Sequence, residues 1–191
     1  AGNYVGSTGQ TSQTECAAGT YQASTGQSSC TDASAGHYVD STAQTAQTAC
    51  LAGTYQSATG QSTCIDADAG YYIDAGGSSD QIPCALGTYQ PDAGQTSCLD
   101  ADPGYYVDST TQTSQTECAA GTYQASTGQS SCIDADAGYY VGSTGQSSQT
   151  ACAAGTYQAS TGQSSSTDAE AGNYVGSTGQ TSQTECAAGT Y

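Results

Sequence analysis

Apolar residues in this chain recur on a fixed beat. Gly-x-Tyr stands at Gly2, Gly19, Gly36, Gly53, Gly70, Gly87, Gly104, Gly121, Gly138, Gly155, Gly172 and Gly189, every interval being 17 residues with no insertion. Gly-Thr-Tyr-Gln, as at 19–22, predicts a short strand with Tyr on one face and the polar Thr and Gln on the other. Ser-Thr-Gly-Gln, as at 24–27, predicts a turn in which Gly takes positive φ. A second extended run then leads into the next module. No 3.6-residue period appears, and Thr, Ser, Gly and Tyr are mediocre or poor helix formers, so little helix is expected. The predicted fold class is all-β: small tandem modules, each a two-strand rung, stacked with Tyr against the next module into an elongated rod. At two strand spacings per rung, about eleven modules would span roughly 110 Å. The whole of 1–191 reads as one continuous repeat array, a segment of a longer or processed chain, with no initiator Met or signal-like leader.

The cysteines divide the modules into two alternating kinds, so the larger period is 34. Cys occupies the residue three before the Gly and the one fourteen later in Cys16/Cys30, Cys50/Cys64, Cys84/Cys98 and Cys118/Cys132. The intervening modules carry Ala33/Gln47, Ala67/Gln81, Ala101/Gln115 and Ala135/Gln149 at those two positions. Both cysteines are present or both absent, as a bridge inside one module predicts. The rival pairing joins Cys30 to Cys50 across a whole module. Ser166 leaves Cys152 without its expected partner, and Cys186 would pair past residue 191. A bridge closing a loop of about 15 residues contributes roughly 3 kcal/mol in the chain-entropy model. Zinc sites use tight Cys-x2–4-Cys pairs, which these spacings do not match. Regular Cys spacing without a core belongs to oxidising compartments, so an extracellular or cell-surface location is expected.

Composition explains why staples are needed. There are twelve Val, Ile and Leu residues together, no Phe, Trp or Met, and 26 Ser with 29 Thr. Ordering the backbone costs roughly 1–2 kcal/mol per residue, and so few large apolar side chains cannot offset that through a central core. Seventeen acidic residues and no Lys or Arg give a net charge of −17. Nucleic acids and anionic membranes are recognised by cations, so neither is an expected partner. No 18-residue apolar stretch exists to insert into a bilayer. Residues 1–21 and 171–191 are identical, which fits a recent duplication or an inferred stretch of sequence.

Cys16-Ala-Ala-Gly-Thr-Tyr…Cys30 and its copies resemble the Cys-x2-Gly-x-Tyr…Cys modules of tumour-necrosis-factor-receptor, ephrin-receptor-like and growth-factor-receptor-like cysteine-rich repeats. The resemblance covers the chain as a repeat pattern. It implies an extracellular, elongated, disulfide-laddered protein whose modules bond their first Cys to their last. Two departures stand out: alternate modules here lack Cys, and Ala rather than Pro follows the first Cys. No ligand-binding residue of those families carries over.

Three kinds of candidate site remain. Paired hydroxyls recur at the turns: Ser7, Thr8, Ser24, Thr25, Ser41, Thr42, Thr59, Ser109, Thr110, Ser126, Thr127, Ser143, Thr144, Ser160, Thr161, Ser177 and Thr178. At this density on a secreted chain they are candidate O-glycan acceptors, weighed against plain polar turns. Asn3 and Asn173 sit in Asn-Tyr-Val, which is no N-glycosylation acceptor. Carboxylates also recur in register at Asp66, Asp68 and Asp74, at Asp100, Asp102 and Asp108, and at Asp134 and Asp136. They could seed a Ca²⁺ site, which needs six to eight oxygens, but a solvated acidic face is the expected reading and no resident metal is assigned. His37 is the only histidine, and its equivalents are Tyr71, Tyr105, Tyr139, Asn3 and Asn173. No base, nucleophile and orienting group stand together, so no catalysis and no cofactor are expected.

These readings predict a structural component of an extracellular fibre, stalk or adhesin shaft, O-glycosylated, with copies of itself and glycans as partners. The alternative is a receptor-like ectodomain binding a protein or carbohydrate ligand. Its contact would fall in the divergent stretch 67–98, where Ala75, Gly76, Gly77, Ser78, Ile82, Pro83, Pro91 and Asp92 depart from the pattern.

Overall fold

The computed structural model describes residues 1–189; Thr190 and Tyr191, the last tyrosine of the series, lie outside them. Eleven two-stranded antiparallel sheets follow one another, and no helix is present among the described residues. Each strand is two residues long. Thr20–Tyr21 pairs with Thr31–Asp32 and His37–Tyr38 with Thr48–Ala49, and the register Tyr21↔Thr31, Tyr38↔Thr48 repeats down the chain. Strands this short are only marginally stable in isolation, so neighbouring modules must hold them.

They do so through backbone hydrogen bonds that repeat with the sequence. The Gly19 and Gln22 N–H groups donate to the Val39 and Gln44 carbonyls of the next hairpin (2.7 and 3.0 Å), and Ala43 N–H donates back to Cys16 O (2.9 Å). The next step repeats the scheme: Gly36 to Gln56 O, Val39 to Gln61 O, and Gly60 back to Ala33 O (2.7, 3.0 and 2.8 Å). Contact also reaches the module after that. Gly19, at φ +89°, lies so close to the loop two modules on that an added Cβ would overlap the Gly60 carbonyl oxygen. Gly36 meets Gly77 and Gly121 meets Gly162 in the same way. Stapled modules therefore rest on stapled modules, and Cys-free modules on Cys-free modules. At these three positions the Gly-x-Tyr glycine is thus demanded twice, by backbone sign and by close approach.

The chain divides into two compact units, one of Ala1–Cys84 with Gln90–Cys98, the other of Ala85–Tyr89 with the residues from Leu99 onward. Each has a thin core of buried small residues instead of a central globule. In the first this includes Cys16, Ala33, Val39, Cys50, Ala67, Ile73 and Cys84, and in the second Ala101, Val107, Cys118, Ala135, Val141, Cys152 and Val175. The tyrosines of the first strands are half-buried, laid across these cores, except Tyr174, which is exposed.

The structure corrects one sequence expectation. Gln22, Gln56, Gln90 and Gln124, expected with Thr on the polar face, are buried. The reason is hydrogen bonding. Gln22 donates Nε2–H to Ser29 O (2.8 Å), and its Oε1 accepts from Ser24 N–H (3.0 Å), spanning the loop from inside. A buried amide with both ends bonded recovers what it lost in hydration. The other loops hold Val39, Ile73, Val107, Val141 and Val175 at this position, all buried.

Candidate functional site

The cysteines and their Cys-free counterparts form the most regular side-chain chemistry in the chain. Cys16 bonds Cys30, Cys50 bonds Cys64, Cys84 bonds Cys98 and Cys118 bonds Cys132, each across 14 residues with Cα atoms 5.7–5.8 Å apart. Each bridge ties the segment entering a hairpin to the start of that hairpin's second strand. The first cysteine of each pair is fully buried or nearly so, and the second is half-buried.

The Cys-free modules are closed at the same place by glutamine. Gln81 Oε1 accepts from the Asp68 N–H (2.8 Å), and its Nε2–H donates to Asp68 Oδ2 (2.8 Å). Gln115 and Asp102 repeat the two-bond clasp (2.6 and 2.7 Å), as do Gln149 and Asp136 (both 2.6 Å) and Gln183 and Glu170 (2.8 and 3.2 Å). Ser34 gives only the backbone half, at 2.7 Å to Gln47. The two kinds of module are complementary. One has a polar Gln inside its loop and a covalent staple, while the other has Val or Ile inside and a Gln–Asp clasp. In the sequence, Ala33/Gln47 and its copies read only as missing cysteines. The available signal was that Gln, and no other polar residue, holds the second position in every Cys-free module.

The fifth stapled position is open. Cys152 is buried and unbridged, opposite Ser166, and Cys186 is also unbridged. Burial pushes the Cys152 thiol above its ordinary pKa, which keeps it protonated and a poor nucleophile at neutral pH.

The acidic residues do not converge. No three His, Cys, Asp or Glu side chains among the described residues are placed to hold a metal ion. Asp66 lies over the loop two modules on, 3.6 Å from where a Cβ on Gly94 would sit, and Asp100 over Gly128 at 3.4 Å. Asp68 and Asp102 are engaged in clasps, while Asp74 and Asp108 are exposed, Asp108 accepting from Ser109 Oγ (3.2 Å). Glu117 accepts from Tyr105 OH (3.2 Å) and from Thr144 Oγ1 (2.7 Å), the latter two modules on. Its charge, its hydrogen bond and a little desolvation raise the Tyr105 phenol above its ordinary pKa. His37 sits half-buried in a strand opposite Ala49, with Nδ1 3.3 Å from Ala35 O and no nucleophile bonded to it.

All seventeen candidate glycan-acceptor hydroxyl residues are exposed. In the divergent stretch, Ile82 and Pro83 pair with Tyr72 and Tyr71, and Ser78 Oγ donates to Ala75 O (3.0 Å). Proline is accommodated because Cys84 N–H donates to Gly70 O, which by antiparallel alternation makes Pro83 and Tyr71 a non-hydrogen-bonded pair. A shallow groove lined by Tyr38, Asp40, Leu51, Thr54, Thr63 and Cys64 repeats, two modules on, one lined by Tyr4, Ala17, Thr20, Ser29 and Cys30. Leu51, 77% exposed, replaces Ala17 in it. No protein-family model matches the chain, and no curated protein is significantly similar to it.

Proposed function

We propose that the chain is a structural segment of an extracellular fibre, stalk or adhesin shaft, elongated, O-glycosylated and assembling with copies of itself. The observation that carries the reading is the uniformity of packing. The backbone bonds between neighbouring hairpins repeat along the chain, and the side-chain chemistry recurs with the repeat instead of gathering at one cleft. Activity that resides in repetition is mechanical: spacing, bearing tension and shielding. The four disulfides support assembly in an oxidising compartment, and hence a place outside the cell or on its surface. No helix among the described residues is long and apolar enough to cross a membrane. Leu51, Ile65, Leu86, Leu99 and Ile133, all exposed, supply apolar surface on which copies would meet. Electron microscopy of the purified chain tests the proposal: thin rods or filaments are expected, and compact round particles refute it.

The second reading, a receptor-like ectodomain, draws on the Leu51 groove, since that exposed side chain is not common to all modules. It requires binding of a protein ligand that Leu51→Ser abolishes while the hairpins stay folded.

A further inference from the structure

One tetrapeptide, Ser-Thr-Gly-Gln, recurs with its serine in two different states. Ser7-Thr8-Gly9-Gln10, Ser143-Thr144-Gly145-Gln146 and Ser177-Thr178-Gly179-Gln180 belong to Cys-free modules; Ser24-Thr25-Gly26-Gln27, Ser126-Thr127-Gly128-Gln129 and Ser160-Thr161-Gly162-Gln163 belong to the stapled register. In the first kind the glutamine usually reaches back to the serine hydroxyl. Gln10 Nε2–H donates to Ser7 Oγ and Gln180 to Ser177 Oγ, both at 3.0 Å. Ser41 and Ser109 are held from both sides, by Gln44 and Gln112 (2.9 and 3.0 Å) and by Asp40 and Asp108 (2.8 and 3.2 Å). Ser143 departs from its kind: Thr144 is drawn to Glu117, and Gln146 bonds the Thr144 carbonyl (3.3 Å) instead of the serine.

In the stapled register the loop is spanned by the internal glutamine, whose Oε1 takes the serine backbone N–H: Ser24 to Gln22 at 3.0 Å, Ser126 to Gln124 at 3.1 Å, Ser160 to Gln158 at 3.2 Å. Gln129 and Gln163 then turn to the carbonyls of Thr127 and Thr161 (both 3.0 Å) and leave the serine hydroxyls alone. The Ser24, Ser126, Ser143 and Ser160 hydroxyls make no hydrogen bond to any described residue, and all four serines are exposed. Ser24 and Ser126 stand at the tip of a loop whose base a disulfide fixes.

We infer that Ser24, Ser126, Ser143 and Ser160 are O-glycan acceptors and that Ser7, Ser41, Ser109 and Ser177 are spared, although the tetrapeptides at Ser7 and Ser177 read the same. This rests on the extracellular, glycosylated reading above and decides which serines it uses. In the transfer, the serine Oγ forms a bond to the anomeric carbon of a nucleoside-diphosphate sugar. The bond from that carbon to phosphate breaks, the nucleoside diphosphate leaves with the electron pair, and the hydroxyl proton passes to a base of the transferase. A free Oγ presents both lone pairs and its proton to that reaction. A tied one must first give up a bond whose net worth, for an ordinary hydrogen bond, corresponds to roughly a two- to tenfold cost in availability.

The chain purified from its source is digested with Asp-N and chymotrypsin, since no Lys or Arg offers a tryptic site. Glycopeptides are then located by electron-transfer mass spectrometry. Sugar mass on Ser24, Ser126, Ser143 and Ser160, at occupancy several-fold above Ser7, Ser41, Ser109 and Ser177, is the expected result. Equal occupancy, the reverse order or a bare chain overturns the inference. Gln10→Ala, which releases Ser7 from its only partner, is expected to bring Ser7 to the level of Ser24; a Ser7 that stays unmodified in this folded variant also refutes it. Electron microscopy of the same material judges the fibre reading separately, because rods can form from an unglycosylated chain.

Discussion

Stretching the chain by its ends reads the staples directly. Each disulfide joins residues 14 apart while holding their Cα atoms 5.7–5.8 Å from one another. Fully extended chain covers ~3.5 Å per residue, so the bridged segment would span ~49 Å if freed. Less the Cα separation, each bridge hides ~43 Å of contour, and the four together hide ~170 Å. The whole chain would extend to roughly 670 Å when reduced and roughly 500 Å when oxidised. The assay is single-molecule force extension with handles at the two ends, repeated on the same preparation after a thiol reductant. The expected gain in contour is ~170 Å, four equal steps if the bridges open singly. A gain of about 260 Å is what the longer loops of the Cys30–Cys50 register would give, and it would refute the pairing described above. No gain at all would refute it too. The residues released on first stretching, before any bridge opens, include the clasped hairpins, whose closures are hydrogen bonds and not covalent.

Other substitutions test single contacts. Ser166→Cys gives Cys152 a partner in the register of the four existing bridges, and stability should rise by about 3 kcal/mol for a loop of this length; two free thiols on titration would contradict it. Gln81→Ala removes both bonds to Asp68 and should cost about 1 kcal/mol, read as a loss of amide-exchange protection confined to residues 68–83. Thr111 sits at φ +62°, where the matching loops have Gly145 and Gly179, so Thr111→Gly should stabilise the fold by about 1 kcal/mol in thermal unfolding. Glu117→Gln removes the charge that raises Tyr105, and phenolate absorbance should show that tyrosine titrating nearer its ordinary value. The sign follows from the raised pKa: the stabilising neutral phenol is present below the ordinary value of 10.0 and lost as pH rises through the raised one.

Much of the architecture is written in the beat of the chain. Gly-x-Tyr at a constant interval, with turn residues between, is enough to place eleven hairpins, because strand and turn preferences act over a few residues and every module repeats them. Gln22 was harder. Alternation puts it beside Thr20 on a polar face, and only the carbonyl of Ser29, seven residues away in the folded loop, explains why it turns inward. The clasp of Gln81 onto Asp68 spans 13 residues, beyond any local pattern rule. The state of the serine hydroxyls was not legible from the tetrapeptide itself, since Ser7 and Ser126 begin the same four residues and differ in which glutamine spans the loop. The acidic triads, though regular in sequence, do not converge among the described residues: Asp66 lies over the loop two modules on, while Asp68 is engaged by Gln81 in its own clasp.

Contact with the second neighbour as well as the first gives the array a parity. A hairpin rests on its own kind, so gain or loss of a single module would set staple above clasp, and a Val39-type interior above a Gln22-type one, at the junction it creates. Only changes by whole pairs of modules leave the matching intact, and the identical stretches 1–21 and 171–191 stand ten modules apart, five such pairs. An array of this kind thus changes length without a mismatched junction only in even steps.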